Sequence, residues 1–206
     1  MAEIRPIEIL KSRVIVVEGK EDKLFFDALI NHLSLNDIQV LPIGGKTELR
    51  KYLEALVIAS GFDGVRSLGI TRDANSNPSA ALQSIREALR SVGLPVPKKA
   101  LMPFGDQPKV TIMILPNENT PGMLEDLCLQ AVMQDPAMFC VDQYFQCLQQ
   151  RSLNLPSKIS KAKVQVFLGS KPEPGKLLGV AAQAGYWPFD VDAFTQVKTF
   201  VQIISS

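Results

Sequence analysis

Histidine is almost missing from this chain: among 206 residues His32 is the only one, and it falls late in a helical segment. Nucleophilic triads that need an imidazole base are thereby excluded. Cysteine is also scarce. Cys128, Cys140 and Cys147 make an odd set of three with no C-x-x-C pair. That argues against a disulfide framework or a thiolate zinc site, and for free thiols in a reducing, cytoplasmic compartment. All three fall on helical segments, where buried packing is the default. No apolar run approaches the roughly 20 residues that span a bilayer. The start, Met1-Ala-Glu-Ile-Arg5, lacks the basic-then-apolar layout of a secretory signal. No membrane association is expected. A net charge of +1 excludes a globally basic nucleic-acid binder. Internal repeats and low-complexity tracts are absent.

Basic residues are missing from one stretch altogether. Between Val110 and Gln150 there is no Lys or Arg, while Glu118, Glu125, Asp126, Asp135 and Asp142 stand there. From Lys158 to Lys176 the balance reverses, with five lysines against one Glu. Two readings fit: solvated helix faces, or an acidic pole beside a basic flank. An acidic pole meets a phosphate backbone only with divalent cations between them. The lysines at 158, 161, 163, 171 and 176 are equally open, as a solvated face or as a row that positions phosphates.

What the chain does have is alternation of element types. Apolar, β-branched runs at Arg13–Glu18, Ile38–Ile43, Val65–Arg72 and Val110–Leu115 read as strands. Between them Lys20–Leu33, Thr47–Ser60 and Ser79–Val92 carry apolar residues at helical spacing, and Gly93 is placed to end the third. Strand alternating with helix implies a parallel sheet with right-handed crossovers. The Pro-rich stretch from Gly93 to Lys109 has room for a short extra strand near Lys99–Pro103. After Leu115 only helices are expected: 121–134, 138–150, 158–168, 176–185 and 191–204. Thr120 and Pro121 look like the N-cap and first residue of the first of these. The expected architecture is an α/β Rossmannoid of about four parallel strands over residues 1–135. A helical extension, 136–206, packs on it in a single compact unit.

Acids stand where strands end. Glu18 follows Val14-Ile-Val-Val17 directly, and Asp73 follows Leu68-Gly-Ile-Thr-Arg72. Asn117-Glu118-Asn119-Thr-Pro-Gly-Met-Leu-Glu125-Asp126 follows the fourth strand. In open α/β sheets ligands gather at the carboxyl ends of strands, and neighbouring strand tips lie about 4.8 Å apart. If the first and third strands are neighbours, these groups meet at one edge. Carboxylate and amide oxygens without His or Cys suit Mg²⁺ or Mn²⁺. Each acid also has a plain structural role open to it: Glu125 and Asp126 favour a helix's first turn, and Asp73 caps a turn. Glu18, beside β-branched residues, needs a partner if it is buried.

The run Val17-Glu18-Gly19-Lys20-Glu21-Asp22 with its apolar helix, followed by a strand ending in Asp73-Ala-Asn75, resembles the Toprim domain. That domain occurs in topoisomerases, primases, small RNA-maturing nucleases and overcoming-lysogenisation-defect nucleases. The segments Ile114–Asp126 and Leu178-Gly-Val-Ala-Ala-Gln-Ala-Gly-Tyr-Trp-Pro-Phe189 extend the resemblance to stand-alone Toprim-like proteins. It implies a Mg²⁺- or Mn²⁺-dependent phosphodiester-transfer enzyme, a small nuclease acting on DNA or RNA. Glu18 would be its general acid/base and Asp73 a metal ligand. Asn75 stands where the second aspartate of Asp-x-Asp usually stands. It ligates through an amide without charge, and Glu118, Glu125 or Asp126 would restore that charge. Gly19, Lys20, Asp22 and Lys46 are expected beside the phosphate. The alternative is a non-catalytic Toprim-like module that binds nucleic acid or a phosphate ligand. A further alternative is one subunit of a defence or repair complex that works with a partner ATPase, because related nucleases carry one fused and this chain has none; self-association is also open.

Other motifs recede on inspection. Ile43-Gly44-Gly45-Lys46-Thr47 mimics the end of a P-loop, but the glycine required five positions before Gly45 is Val40. Gly185-Tyr-Trp-Pro-Phe189 concentrates aromatics, for which core packing outweighs base stacking.

Overall fold

The computed structural model describes residues 7–44, 49–151 and 153–206. Strands β1 (Arg13–Val17), β2 (Ile38–Pro42), β3 (Ser67–Asp73) and β4 (Lys109–Leu115) form one four-stranded sheet in the order β2-β1-β3-β4. Every pairing is parallel. Each strand lies where the sequence places it. The short strand near Lys99–Pro103 does not form; only Phe104 makes an isolated antiparallel bridge, to Val110. Prolines on both sides of that stretch lack the N–H a ladder needs.

The two faces of the sheet follow from alternation. Val14 and Val16 turn to one side with Leu68, Ile70, Val110, Ile112 and Ile114. Helices α2 (Leu49–Val57) and α3 (Pro78–Ser91) cover them. Ile15, Val17, Met113 and Leu115 turn to the other side, under α1 (Lys20–His32) and α8 (Thr195–Ser205). Burial on both faces is why these strands read as unbroken apolar runs. Gly69 on β3 makes the second layer possible: a Cβ there would lie 2.6 Å from Phe200 Cζ on α8.

The remaining helices are α4 (Leu124–Ala131), α5 (Pro136–Gln150), α6 (Ile159–Gly169) and α7 (Leu178–Gln183). Phe167, Trp187, Phe194 and Phe200 belong to the same buried cluster as Phe25 and Phe26 of α1. The chain beyond residue 136 therefore shares its core with one face of the sheet. Trp187 lies nearly parallel to Phe167, with ring centroids 5.7 Å apart, and donates its indole N–H to the Leu178 carbonyl at 3.0 Å. The aromatic cluster is core, as expected. Among the described residues no helix is long and apolar enough to cross a membrane.

Local chemistry sets the helix starts. Asn77 caps α3 through Ala80 N–H, and Asp135 caps α5 through Ala137 N–H; a proline follows each at the first position. Gly93 follows the end of α3 at φ +73°, the left-handed geometry that glycine permits. Thr120 and Pro121 do not begin α4, which starts at Leu124. Asn75 and Gly122 exchange two backbone hydrogen bonds, of 2.6 and 2.7 Å, and hold the preceding residues as a loop. The cysteines also depart from expectation. Cys128 is buried, but Cys140 and Cys147 are exposed, because the buried stripe of α5 runs through Met138, Val141 and Phe145.

Candidate functional site

Two helices begin at the carboxyl edge of the sheet with the same dipeptide. In α1 the second and third residues are Glu21 and Asp22; in α4 they are Glu125 and Asp126. Acids in a first turn complement the helix dipole. The third residue also folds back in each case. Asp22 accepts from Gly19 N–H at 3.1 Å, and Asp126 accepts from Met123 N–H at 2.8 Å.

Between these helix ends, the strand tips and α6 lies a cavity of about 550 Å³. Glu18, Gly19, Asp22, Asp73 and Glu125 line it, with Glu21, Gly44, Lys158 and Lys161 among the other lining residues. Asp73 Oδ1 accepts from Leu124 N–H at 3.1 Å, at the first residue of α4. Glu18 Oε1 accepts from Asp73 N–H at 3.2 Å and stands 3.8 Å from Arg72 Nε. The partner demanded by the partial burial of Glu18 is thus a guanidinium together with a strand-tip amide, and the carboxylate still borders the cavity. Arg72 is itself anchored by donating to Ser84 Oγ at 3.0 Å.

Burial and crowded charge act together on Asp22. Burial, then the charges of Glu18 and Glu125, push the Asp22 carboxyl up to about 6 from its ordinary 3.8, against the pull of the amides it accepts from. Lys161 Nζ sits 3.0 Å from Glu125 Oε1. Burial works against its charge, but the hydrogen bond and charge of Glu125, helped by Asp73 and Asp22, outweigh it and raise the ammonium above its ordinary range.

Not every expected residue reaches the cavity. Glu118 is exposed in the turn bridged by Asn117 and Thr120, and Lys20 is exposed on α1. Neither is among the lining residues. Asp126 is engaged by Met123 N–H and by the Ser160 hydroxyl of α6. Asn75 lies at φ +50°, a conformation asparagine tolerates. Its amide donates to the Asp73 carbonyl at 3.2 Å, and it borders a shallower groove beside Asp73. An aspartate could not make that donation. Lys46 lies outside the described residues. His32 sits at the end of α1 against Asp190, far from the strand tips.

The sequence reading did not single out Glu21, Arg72 or Ser160. Glu21 accepts from Gly179 N–H at 2.8 Å and ties α7 to α1. A Cβ on Gly179 would lie 2.5 Å from the Glu21 carbonyl oxygen, so glycine permits the approach. The acidic pole and basic flank turn out to face each other: Lys163 pairs with Asp142 and Lys171 with Asp135.

The donor set is all oxygen, which fits Mg²⁺ or Mn²⁺, and a cation would offset the charges of Glu18 and Glu125 that add to burial in raising Asp22. Among the described residues no three His, Cys, Asp or Glu side chains already stand as a ligating group. Mg²⁺ commonly takes one or two carboxylates and keeps several waters, so such a set is not required.

The model of a family described as "Protein of unknown function (DUF3226)" matches residues 12–205. No curated protein matches the chain. Among solved structures, a hypothetical protein from Pyrococcus horikoshii OT3 is similar at 14% identity and a TM-score of 0.61, with 95% of each chain covered. It shares the fold. The C-terminal region of the OLD protein of Xanthomonas campestris pv. campestris matches at 15% identity over 96% of this chain and 86% of that one. Its TM-score of 0.40 is too low to argue from.

Proposed function

We propose that this chain, which belongs to the DUF3226 family, is a Toprim-like, metal-dependent phosphodiester-transfer enzyme, a small nuclease acting on DNA or RNA. The observation that carries the reading is the convergence of Glu18, Asp22, Asp73 and Glu125, drawn from two strand tips and two helix starts, on one cavity with lysines at its wall. Residues distant in sequence rarely bring four carboxylates together without a charge to balance them.

In this reading one or two carboxylates among Asp73, Asp22 and Glu125 would hold Mg²⁺ or Mn²⁺, with waters completing the ion's shell. The ion, when bound, polarises a phosphoryl oxygen and lowers the pKa of water. Glu18 moves the proton, taking it from the attacking water or returning it to the leaving oxygen. Arg72 and Asp73 N–H orient its carboxylate for that transfer. Lys158, on the cavity wall, would meet a phosphate oxygen of the substrate. Asn75 braces the loop that carries Asp73, and so Glu125 replaces the charge of the second motif aspartate.

The test is cleavage of single- and double-stranded DNA and RNA by the purified chain with Mg²⁺ or Mn²⁺. Glu18→Gln is expected to lower the rate by about 100-fold or more. Equal rates in the variant remove Glu18 from the mechanism, and no cleavage of any substrate removes the nuclease. A second reading, a module that holds a phosphate-bearing ligand without cutting it, draws support from the bracing role of Asn75. Mn²⁺ binding by calorimetry with no cleavage of any substrate favours it.

A further inference from the structure

We propose that Lys161 is a built-in counter-ion of the acid cavity, a tethered single charge that an incoming divalent cation must displace from Glu125. The inference rests on the metal reading above and deepens it: the chain carries its own competitor for the ion.

The placement of Lys161 singles it out. Lys163, Lys171 and Lys176 form their ion pairs with Asp142, Asp135 and Glu173, none of which lines the cavity. Lys161 instead pairs with Glu125, whose side chain is only 14% exposed and does line it. The ammonium is also delivered rather than dangling. Its neighbour Ser160 donates to Asp126, the residue after Glu125. Two adjacent residues of α6 are thus docked onto two adjacent residues at the start of α4. That docking brings the lysine stem to the cavity as part of the fold.

The chemistry of the pair follows. Glu125 accepts from Lys161 through Oε1 at 3.0 Å, and a hard cation drawing on the same carboxylate at about 2.1 Å competes with the ammonium for its charge. With the ion absent, the ammonium offsets the mutual repulsion of Glu125, Asp22 and Asp73. With an ion entering, the same ammonium repels it. The lysine side chain is about half exposed, and its flexible four-carbon stem can swing toward solvent as the ion loads. An exposed lysine pair contributes little stability by itself, so the larger effect of Lys161 is on ion affinity.

The experiment is titration of Mn²⁺ into the full chain, with bound ion counted by calorimetry and by loss of the free-ion spin-resonance signal. Lys161→Met and Lys161→Gln are expected to bind Mn²⁺ about tenfold more tightly than the unaltered chain, the effect of one unit charge about 6 Å from a divalent ion in water-like surroundings. Lys161→Arg, which keeps the charge, is expected to stay near the unaltered affinity. Equal or weaker binding by both neutral variants, where the unaltered chain binds, overturns the counter-ion and leaves the metal reading standing. No binding by any of the four proteins at millimolar Mn²⁺ overturns the metal reading itself.

Discussion

At the scale of residues, the site is a problem of crowded charge, and Asp22 carries most of it. Its carboxyl is pushed from 3.8 up to about 6, by burial first and by Glu18 next. Between those values the folded chain holds a proton that the unfolded chain has released. Stability therefore falls as pH rises through that window, by roughly 3 kcal/mol once Asp22 is fully ionised. Asp22→Asn should remove the penalty. In metal-free buffer, urea unfolding is expected to show the variant more stable than the unaltered chain by roughly 1–3 kcal/mol at pH 8, and by about half as much at pH 5. The same gain at both pH values would show that Asp22 is not the strained group. The placement of Glu18 and Asp73 at the sheet edge was legible because each directly follows an apolar run that reads as a strand. Asn75 was legible as a departure but not as a brace, because its amide answers a carbonyl two residues back in a left-handed turn. The position of Lys161 was not legible at all: it depends on the Ser160–Asp126 contact, which joins segments 34 residues apart.

At the scale of elements, burial explains what could be read. Each strand is covered on both faces, so its apolar run has little to confuse it with, and all four appear where the pattern puts them. Where tertiary contacts compete with local signals, the local signal loses. Thr120-Pro121 is a good helix start in isolation, yet the backbone pairing of Asn75 with Gly122 delays α4 to Leu124. Glycine marks the places where elements touch. Gly69 admits Phe200 of α8 onto β3, and Gly179 admits α7 onto α1. Gly69→Ala is expected to destabilise the fold by roughly 1–3 kcal/mol, the usual cost of overpacking. Combined with Phe200→Leu, the total should fall short of the sum of the single effects, because losing the ring frees the space that the added methyl needs. Denaturant unfolding of the single and double variants measures this, and strict additivity would mean that the ring and the glycine do not meet.

At the scale of the molecule, the sheet edge and the helices beyond residue 136 build one cavity together. Glu18, Asp22 and Asp73 come from the first half of the chain; Lys158 and Lys161 come from α6 and its approach. The charge blocks seen along the sequence are spent largely on each other, as α6 and the residues after it pair with acids of α4 and α5. Of these pairs, the one between Lys161 and Glu125 is made at the acid cavity itself. On the proposed reading, this cavity is where an added divalent cation would bind. The most direct test is a crystal of the full chain soaked in Mn²⁺ and measured for anomalous scattering. A peak within about 2.2 Å of carboxylate oxygens of Asp73, Asp22 or Glu125 is the predicted result. Mn²⁺ peaks confined to other surfaces, with none in this cavity, would contradict it.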